Sequence, residues 1–270
     1  MRSISPFYIG SQFFLMLFIS LFATAQLRDN AGTARVASFK LQQQLNAASP
    51  YKNLQWRNLG PDLISGRVTE VAGIPGNKNI IFASFATGGF WKTTDAGENW
   101  MPLTDQLGTL SIGAFALAPS NPDIIYLGTG ESNIFRASLP GMGAYKSTDG
   151  GKTWTAIGLT NTGTIARILV HPKNPDVAYV AAGGNEWSYN INRGVYKTTD
   201  GGKNWNHTLY VDANTGAVDL DIDSKNPSIL YAAMWYKTRT ASNFEESGKT
   251  SGIYKSTDGG NSWKQINTTS

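Results

Sequence analysis

The sequence predicts an all-β fold, a β-propeller of four-stranded antiparallel blades. Three observations carry that reading. A Ser/Thr-x-Asp-x-Gly-x-x-Trp motif occurs four times, with its aspartates at Asp95, Asp149, Asp200 and Asp258, spaced 54, 51 and 58 residues apart. Short runs of β-branched and aromatic residues, divided by turn signals, precede each copy. A four-strand unit recurring at this period is the mark of a propeller blade. A solenoid of stacked sheets has the same period, but the turn-locked hairpin and the four-strand content favour radial packing.

Each blade is read from its first strand outward. First strands fall at 68–72, 111–117, 165–170 and 217–222. A turn follows: Asn121-Pro122-Asp123, Asn174-Pro175-Asp176, Asn226-Pro227-Ser228 and, as a variant, 76–79. Second strands follow at 80–82, 124–127, 177–180 and 229–232, and third strands end in Lys92, Lys146, Lys197 and Lys255. The motif turn comes next, and Trp100, Trp154, Trp205 and Trp263 each open a last strand.

The motif has a structural job. Asp95, Asp149, Asp200 and Asp258 can accept backbone N–H groups of their own turns. Gly97, Gly151, Gly202 and Gly260 permit positive φ. Each Trp folds back to fill the gap to a neighbouring strand or blade. One carboxylate per turn is too few for a calcium site, so no metal is expected there.

Other segments flank the repeat. Residues 1–25 read as a secretory signal peptide: Arg2, an apolar stretch over 13–23, then Ala23-Thr24-Ala25. That apolar stretch is short for a membrane span, so no span is expected after cleavage. The expected location is extracytoplasmic: secreted, periplasmic or at the cell surface. Residues 26–55 are a lead-in, where Val36, Phe39, Leu41 and Leu45 predict a short helix at the domain edge. The propeller occupies 56–270, divided as 56–100, 101–154, 155–205 and 206–270. Trp56 to Leu59 reads as a strand that would close a ring. About four blades fit the chain, which reads as part of a larger propeller of about seven, or alternatively as a closed four-bladed ring. An incomplete ring predicts an open arc with an exposed blade edge.

Composition excludes several classes. The 270 residues hold no Cys and two His, and carry a net charge of +4. Disulfide scaffolds, thiolate chemistry and sulfur-based metal sites are therefore out. A mild, evenly spread charge does not point to nucleic acid. No cofactor is expected.

The four turns resemble the Asp-box, or bacterial neuraminidase repeat. That repeat belongs to sialidases, xyloglucan-cleaving glycoside hydrolases, a photosystem assembly factor and sortilin-type (VPS10) receptor domains. The segments 56–61, 65–68, 87–92, 128–131, 193–196 and 231–235 are similar to sortilin N-terminal-like propellers of large secreted bacterial proteins, often labelled glycosyl hydrolases. The resemblance implies the fold over most of the chain and says little of activity. In the xyloglucan-cleaving enzymes a catalytic Asp sits in a segment similar to 82–89, and here Ala86 takes its place. The Arg-Ile-Pro signature of sialidases is absent.

Function is expected in the loops between second and third strands, at 131–143, 184–194 and 236–252. Binding candidates are Arg67, Glu131, Trp187, Tyr189, Trp235, Tyr236 and Arg239. The aromatic residues suit stacking on sugar rings or gripping a peptide, or else they pack blades. A glycosidase needs two carboxylates about one bond; Asp62, Glu70, Glu131, Glu186, Asp219 and Asp221 are available, with Glu131, Glu186, Asp219 and Asp221 as the catalytic candidates. Asp219 and Asp221 alternate on one strand face, as a pair or as a solvated edge. His171 reads as a turn residue. The expected function is a binding or interaction module for a peptide, a glycan or a partner domain within a larger protein, with the remaining blades and further domains of that protein as partners. The alternative is a glycoside hydrolase with a carboxylate pair. An acid pair converging near the axis would favour the hydrolase.

Overall fold

The computed structural model describes residues 32–54, 66–133, 138–240 and 242–267. They belong to one compact unit, Ala31–Ser270. The signal-peptide, ring-closing-strand and Asp62 readings lie outside the described residues.

Four four-stranded antiparallel sheets follow one another along the chain. The first holds β1 (Val68–Ile74), β2 (Asn77–Phe85), β3 (Gly89–Thr93) and β4 (Met101–Pro102). The second holds β5 (Ile112–Ala118), β6 (Asn121–Thr129), β7 (Ala144–Ser147) and β8 (Thr155–Ala156). The third holds β9 (Ile165–Val170), β10 (Ala178–Ala182), β11 (Gly194–Thr198) and β12 (Asn206–Leu209). In the fourth, β13 (Thr215–Ile222) and β14 (Leu230–Tyr236) pair with β17 (Gly252–Ser256) and β18 (Lys264–Gln265). A small hairpin, β15 (Thr238–Arg239) and β16 (Phe244–Glu245), rises from the long loop of that blade. Each sheet runs a few residues past its Trp, so Met101–Pro102 belongs to the first blade.

The first strands β1, β5, β9 and β13 pack one against the next and so lie nearest the axis. Each carries a bulge at the same place, after Val68, Ile112, Ile165 and Ala217. A bulge re-aims the side chain that follows it. Glu70, Ala114, Arg167 and Asp219 are therefore equivalent, one per blade, opposite Ser84, Gly128, Ala181 and Ala233. Gly113 is the bulge residue of the second blade, and a Cβ there would lie 2.0 Å from the Ile165 carbonyl oxygen. Only Gly lets β5 come so near β9.

The motif turns share one geometry. In the second blade Ser147 Oγ donates to Asp149 Oδ1 at 2.8 Å and accepts the Gly151 N–H at 2.9 Å. Asp149 takes the Thr153 N–H at 2.9 Å and the Thr153 hydroxyl at 2.6 Å. The turns at Asp95, Asp200 and Asp258 repeat the scheme. Gly97, Gly151, Gly202 and Gly260 all have positive φ. Across the adjoining strands each blade sets a Lys over a ring: Lys92 on Phe82, Lys146 on Tyr126, Lys197 on Tyr179 and Lys255 on Tyr231, with ammonium-to-centroid distances of 5.0–5.8 Å.

The core lies in the seams between blades. Phe115, Ile168 and Leu220 occupy one equivalent position and are each 3% exposed or less, buried against the preceding blade. Val71, at that position in the first blade, is 59% exposed. At the other end Ile253 is exposed, while its equivalents Phe90, Ala144 and Val195 are buried. The arc is open.

The helix α1 (Gly32–Ala48) docks through its first half. Thr33 N–H reaches Asn161 Oδ1 at 3.3 Å, and Arg35 Nη2 donates to the Gly141 carbonyl at 2.7 Å. Val36 and Phe39 are half-buried, whereas Leu41 and Leu45 are exposed. The helix thus lies on the loops above the second and third blades, with only part of its apolar spacing covered. Among the described residues no helix is long and apolar enough to cross a membrane.

Candidate functional site

Two groups of functional side chains sit on this frame, one at the axis and one in the loops between second and third strands.

At the axis the bulges bring Glu70, Arg167 and Asp219 together from the first, third and fourth blades. Arg167 Nη1 lies 2.7 Å from Glu70 Oε1, and Arg167 Nε lies 3.6 Å from Asp219 Oδ1. The second blade contributes Ala114, whose short side chain lets Glu70 and Arg167 meet across it. That blade also donates the Phe115 N–H to Glu70 Oε2 at 3.0 Å. Burial raises the pKa of Glu70, outweighing the lowering by the Phe115 N–H and the Arg167 charge, and the Asp219 charge adds to the rise. Two carboxylates thus converge on one guanidinium, and one of them is biased towards its protonated form.

Asp221 is not part of this group. It is exposed and accepts the N–H of its neighbour Ile222 at 2.9 Å. Of the two readings of Asp219 and Asp221, Asp221 sits as a solvated edge residue, and Asp219 faces Arg167 alongside Glu70. Strand alternation pointed to Asp219, but only the bulge reveals its partner.

In the loops, Glu131 is buried and ion-paired with Arg67, whose side chain is half exposed. Glu186, 8% exposed, is ion-paired with Arg239 through Oε1, while its buried Oε2 has no partner. The Arg239 guanidinium lies between two rings, 4.8 Å from the Trp187 centroid and 5.2 Å from that of Phe244. This pins the β15–β16 hairpin to the 184–194 loop. Trp187 and Tyr189 are exposed. Trp235 donates Nε1–H to the Glu246 carbonyl at 2.6 Å, and Tyr236 packs against Gly248. Both are fixed by their own loop. The structure therefore joins Glu186, Trp187 and Arg239 into one cluster, and Arg67 and Glu131 into another.

Two residues outside the candidate set organise the larger cluster. Arg193 is 1% exposed and donates to the carbonyls of Gly183, Asn185, Ser188 and Asn214 at 2.5–3.2 Å. The 184–194 loop winds around it, and desolvation brings its pKa down to about 10. Lys237 is 3% exposed, and its ammonium lies 5.2 Å from the Trp235 centroid. Desolvation first, and then the Arg193 charge, bring its pKa down to about 8. An Arg opening a strand and a Lys closing one carry no sequence signal of burial.

His171 Nδ1 accepts the N–H groups of Lys173 and Asn174, each at 3.2 Å, as a turn residue does. Ala86 is buried with its N–H on the Arg67 carbonyl, so no ionisable group stands there. Among the described residues no three His, Asp or Glu side chains group to hold a metal.

Comparison with known proteins corrects the resemblance drawn from the motifs. The model of the Sortilin-Vps10 family ("Sortilin, neurotensin receptor 3") matches residues 143–270, less than half of the chain. The wider likeness is to xyloglucanases. A xyloglucanase of Paenibacillus sp is 25% identical over 254 residues, 85% of this chain and 24% of that protein. Xyloglucanase Xgh74A of Acetivibrio thermocellus is 25% identical over 253 residues, 84% of this chain and 28% of that protein. The crystal structure of a Niastella koreensis GH74 enzyme aligns with a TM-score of 0.50 and 25% identity, covering 72% of this chain and 28% of that one. An ancestral GH74 enzyme aligns with a TM-score of 0.56 at 21% identity, covering 76% and 26%, and shares the fold. The chain spans about a quarter of the length of these relatives. The sortilin, VPS10 and neuraminidase-repeat labels therefore give way to the GH74 xyloglucanase likeness. The binding-module expectation gives way with them, because the curated xyloglucanases match over 74–85% of the chain.

Proposed function

We propose that the chain is part of a secreted glycoside hydrolase acting on a xyloglucan-type glucan, with Glu70 and Asp219 as its acid pair. The observation that carries this is their convergence on Arg167 at the axis. Glycoside hydrolysis needs one carboxyl to protonate the leaving oxygen and a second to assist attack at the sugar carbon. Glu70, raised by burial, is the proton donor. Asp219, on the exposed side of Arg167, is the second carboxyl of the pair. Xyloglucan as substrate class rests on the relatives, and secretion on the apolar N-terminal stretch of the sequence.

Ala86 decides where this chemistry can lie. The xyloglucan-cleaving enzymes are expected to use an Asp at that place, and Ala cannot carry a proton. Carboxylates elsewhere must do the work, and among the described residues Glu70 and Asp219 converge on one guanidinium.

The test is release of reducing ends from xyloglucan by the native secreted protein. Glu70→Gln and Asp219→Asn should each lower kcat roughly 100-fold or more, the usual contribution of an acid or base catalyst. Unchanged kcat in either variant, or no cleavage by the native protein, would sink the assignment.

A further inference from the structure

The cluster around Glu186 holds polar groups that the fold leaves unmet, although buried polar atoms are normally paired. Glu186 Oε2, Asn190 Oδ1 and Asn214 Oδ1 are buried and have no hydrogen-bond partner. Glu186 and Asn190 are each more than nine-tenths buried. Lys237, also more than nine-tenths buried, touches the face of Trp235, and its ammonium makes no hydrogen bond among the described residues. The residues that carry them come from adjoining loops, where the Asn190 N–H also bonds the Ala213 carbonyl at 3.3 Å. The Asn214 carbonyl accepts both the Lys237 N–H and Arg193 Nη1, each at 3.1 Å. Lys237 lies within the electrostatic reach of Glu186, Arg193 and Arg239. Arg193 Nε is also unmet, but Gly184 closes it off: a Cβ on Gly184 would lie 2.4 Å from that nitrogen.

The unmet atoms define a ligand. Three oxygens require donors, and one ammonium requires an acceptor. An anion would satisfy Lys237 but would face the Glu186 carboxylate and two amide oxygens. An amine would satisfy the oxygens and be repelled by Lys237, Arg193 and Arg239. A hydroxyl both donates and accepts, and neighbouring hydroxyls on one ring do so at several points. Trp187, beside Glu186, carries Arg239 on one face of its ring and stays 45% exposed, which leaves a flat apolar surface of the kind sugar rings stack on.

We propose that Glu186 Oε2 and Lys237 Nζ form a hydroxyl-binding notch for a neutral sugar ring, with Trp187 as its stacking face. This deepens the hydrolase reading by assigning a sugar-holding site to loops away from Glu70 and Asp219, and the choice of sugar rests on that reading. The hydroxyls satisfy the buried oxygens and the Lys237 ammonium.

The experiment is isothermal titration calorimetry of the native protein with a neutral xyloglucan oligosaccharide, and with an oligogalacturonate as the acidic comparison. The neutral sugar should bind and the acidic one should not. Lys237→Met keeps the stem and removes the donor, and should weaken binding roughly 10-fold or more, the loss expected for a charge-assisted bond. Trp187→Ala should weaken it severalfold. Lys237→Met removes a desolvated charge, so its folding is not at risk, and circular dichroism checks that directly. Undiminished affinity in Lys237→Met, preference for the acidic sugar, or no binding of the neutral sugar would each overturn the site. Binding is read apart from cleavage. Sugar binding that depends on Lys237 without hydrolysis would sink the Glu70–Asp219 reading and leave the notch. Hydrolysis that depends on Glu70 with affinity indifferent to Lys237 would do the reverse.

Discussion

Trp205 donates its indole N–H to the carbonyl of Ile157 at 2.7 Å, across the seam between the second and third blades. Trp154 makes the same bond to Leu103 at 2.8 Å, and Trp263 reaches Thr208 Oγ1 at 3.2 Å. Trp100 has no preceding blade among the described residues and turns to the Gly97 carbonyl of its own turn at 3.1 Å. One motif residue therefore does two jobs, according to whether a blade stands beside it. Trp205→Phe keeps most of the ring and leaves a partly buried carbonyl unmet, which costs about 1–3 kcal/mol. Trp100→Phe loses a bond at an exposed site, and a change within about 0.5 kcal/mol is expected. Urea unfolding of the two variants checks this, and equal losses would refute the seam role.

The motif aspartates make stability sensitive to acid. Asp95, Asp149 and Asp200 are held down to about 2, and Asp258 lower still. The chief causes are the Asn99 N–H for Asp95, the Thr153 hydroxyl for Asp149, the Asn204 amide for Asp200 and the Ser262 hydroxyl for Asp258. A depressed folded-state pKa means that the unfolded chain takes up protons first as pH falls. The stabilisation is complete above the unfolded value of about 4 and drains away between about pH 4 and pH 2. Melting temperatures measured from pH 6 to pH 2 should fall steeply in that window. Asp149→Asn should fall less steeply, and parallel curves would exclude the turn as a source.

Most of the blades were legible because repetition multiplies a weak signal. A single Thr-Asp-x-Gly is one turn, but four with a Trp five residues after each Asp fix the third-to-fourth hairpin of every sheet. The axial group was only half legible. Glu70, Arg167 and Asp219 look unrelated in sequence, and their equivalence depends on a bulge that no residue type announces. In the loop cluster the aromatic residues were legible. Lys237 and Arg193 were not, because their burial comes from loops closing over them, and charged residues usually mark a surface. The place of α1 was hidden for a similar reason: Arg35 docks on a carbonyl more than a hundred residues away.

Arg167 sets the balance at the axis. Its charge lowers the pKa of Glu70, against the burial that raises it. Arg167→Met removes the lowering and keeps a side chain of similar length, so the Glu70 pKa should rise further. If Glu70 donates the proton, the high-pH limb of kcat/KM reports its loss of that proton. The limb should move to higher pH in Arg167→Met, while Lys152→Met at an exposed turn leaves it in place. A pH–rate profile of the native protein and both variants reads this, and an unmoved limb would detach Glu70 from proton transfer.

Lys237 tests whether the notch is kept at a cost to the fold. Its pKa is lowered from the ordinary lysine value to about 8, chiefly by desolvation. The folded state thus holds the ammonium less readily than the unfolded chain does. Between about pH 8 and the unfolded value of about 10.4 the unfolded chain carries the extra proton, so this residue makes stability rise with pH across that window. Below about pH 8 the penalty is present in full. Lys237→Met removes the charge from both states, and the variant should be more stable than the native protein at pH 7. That advantage should shrink as pH rises from 8 to 10.4, once the native Lys is neutral in the fold. Functional groups commonly hold their places against stability in this way. Chemical denaturation at pH 7 and at pH 10 measures the difference, and a variant less stable at pH 7 would mean that Lys237 pairs with a group that compensates its burial.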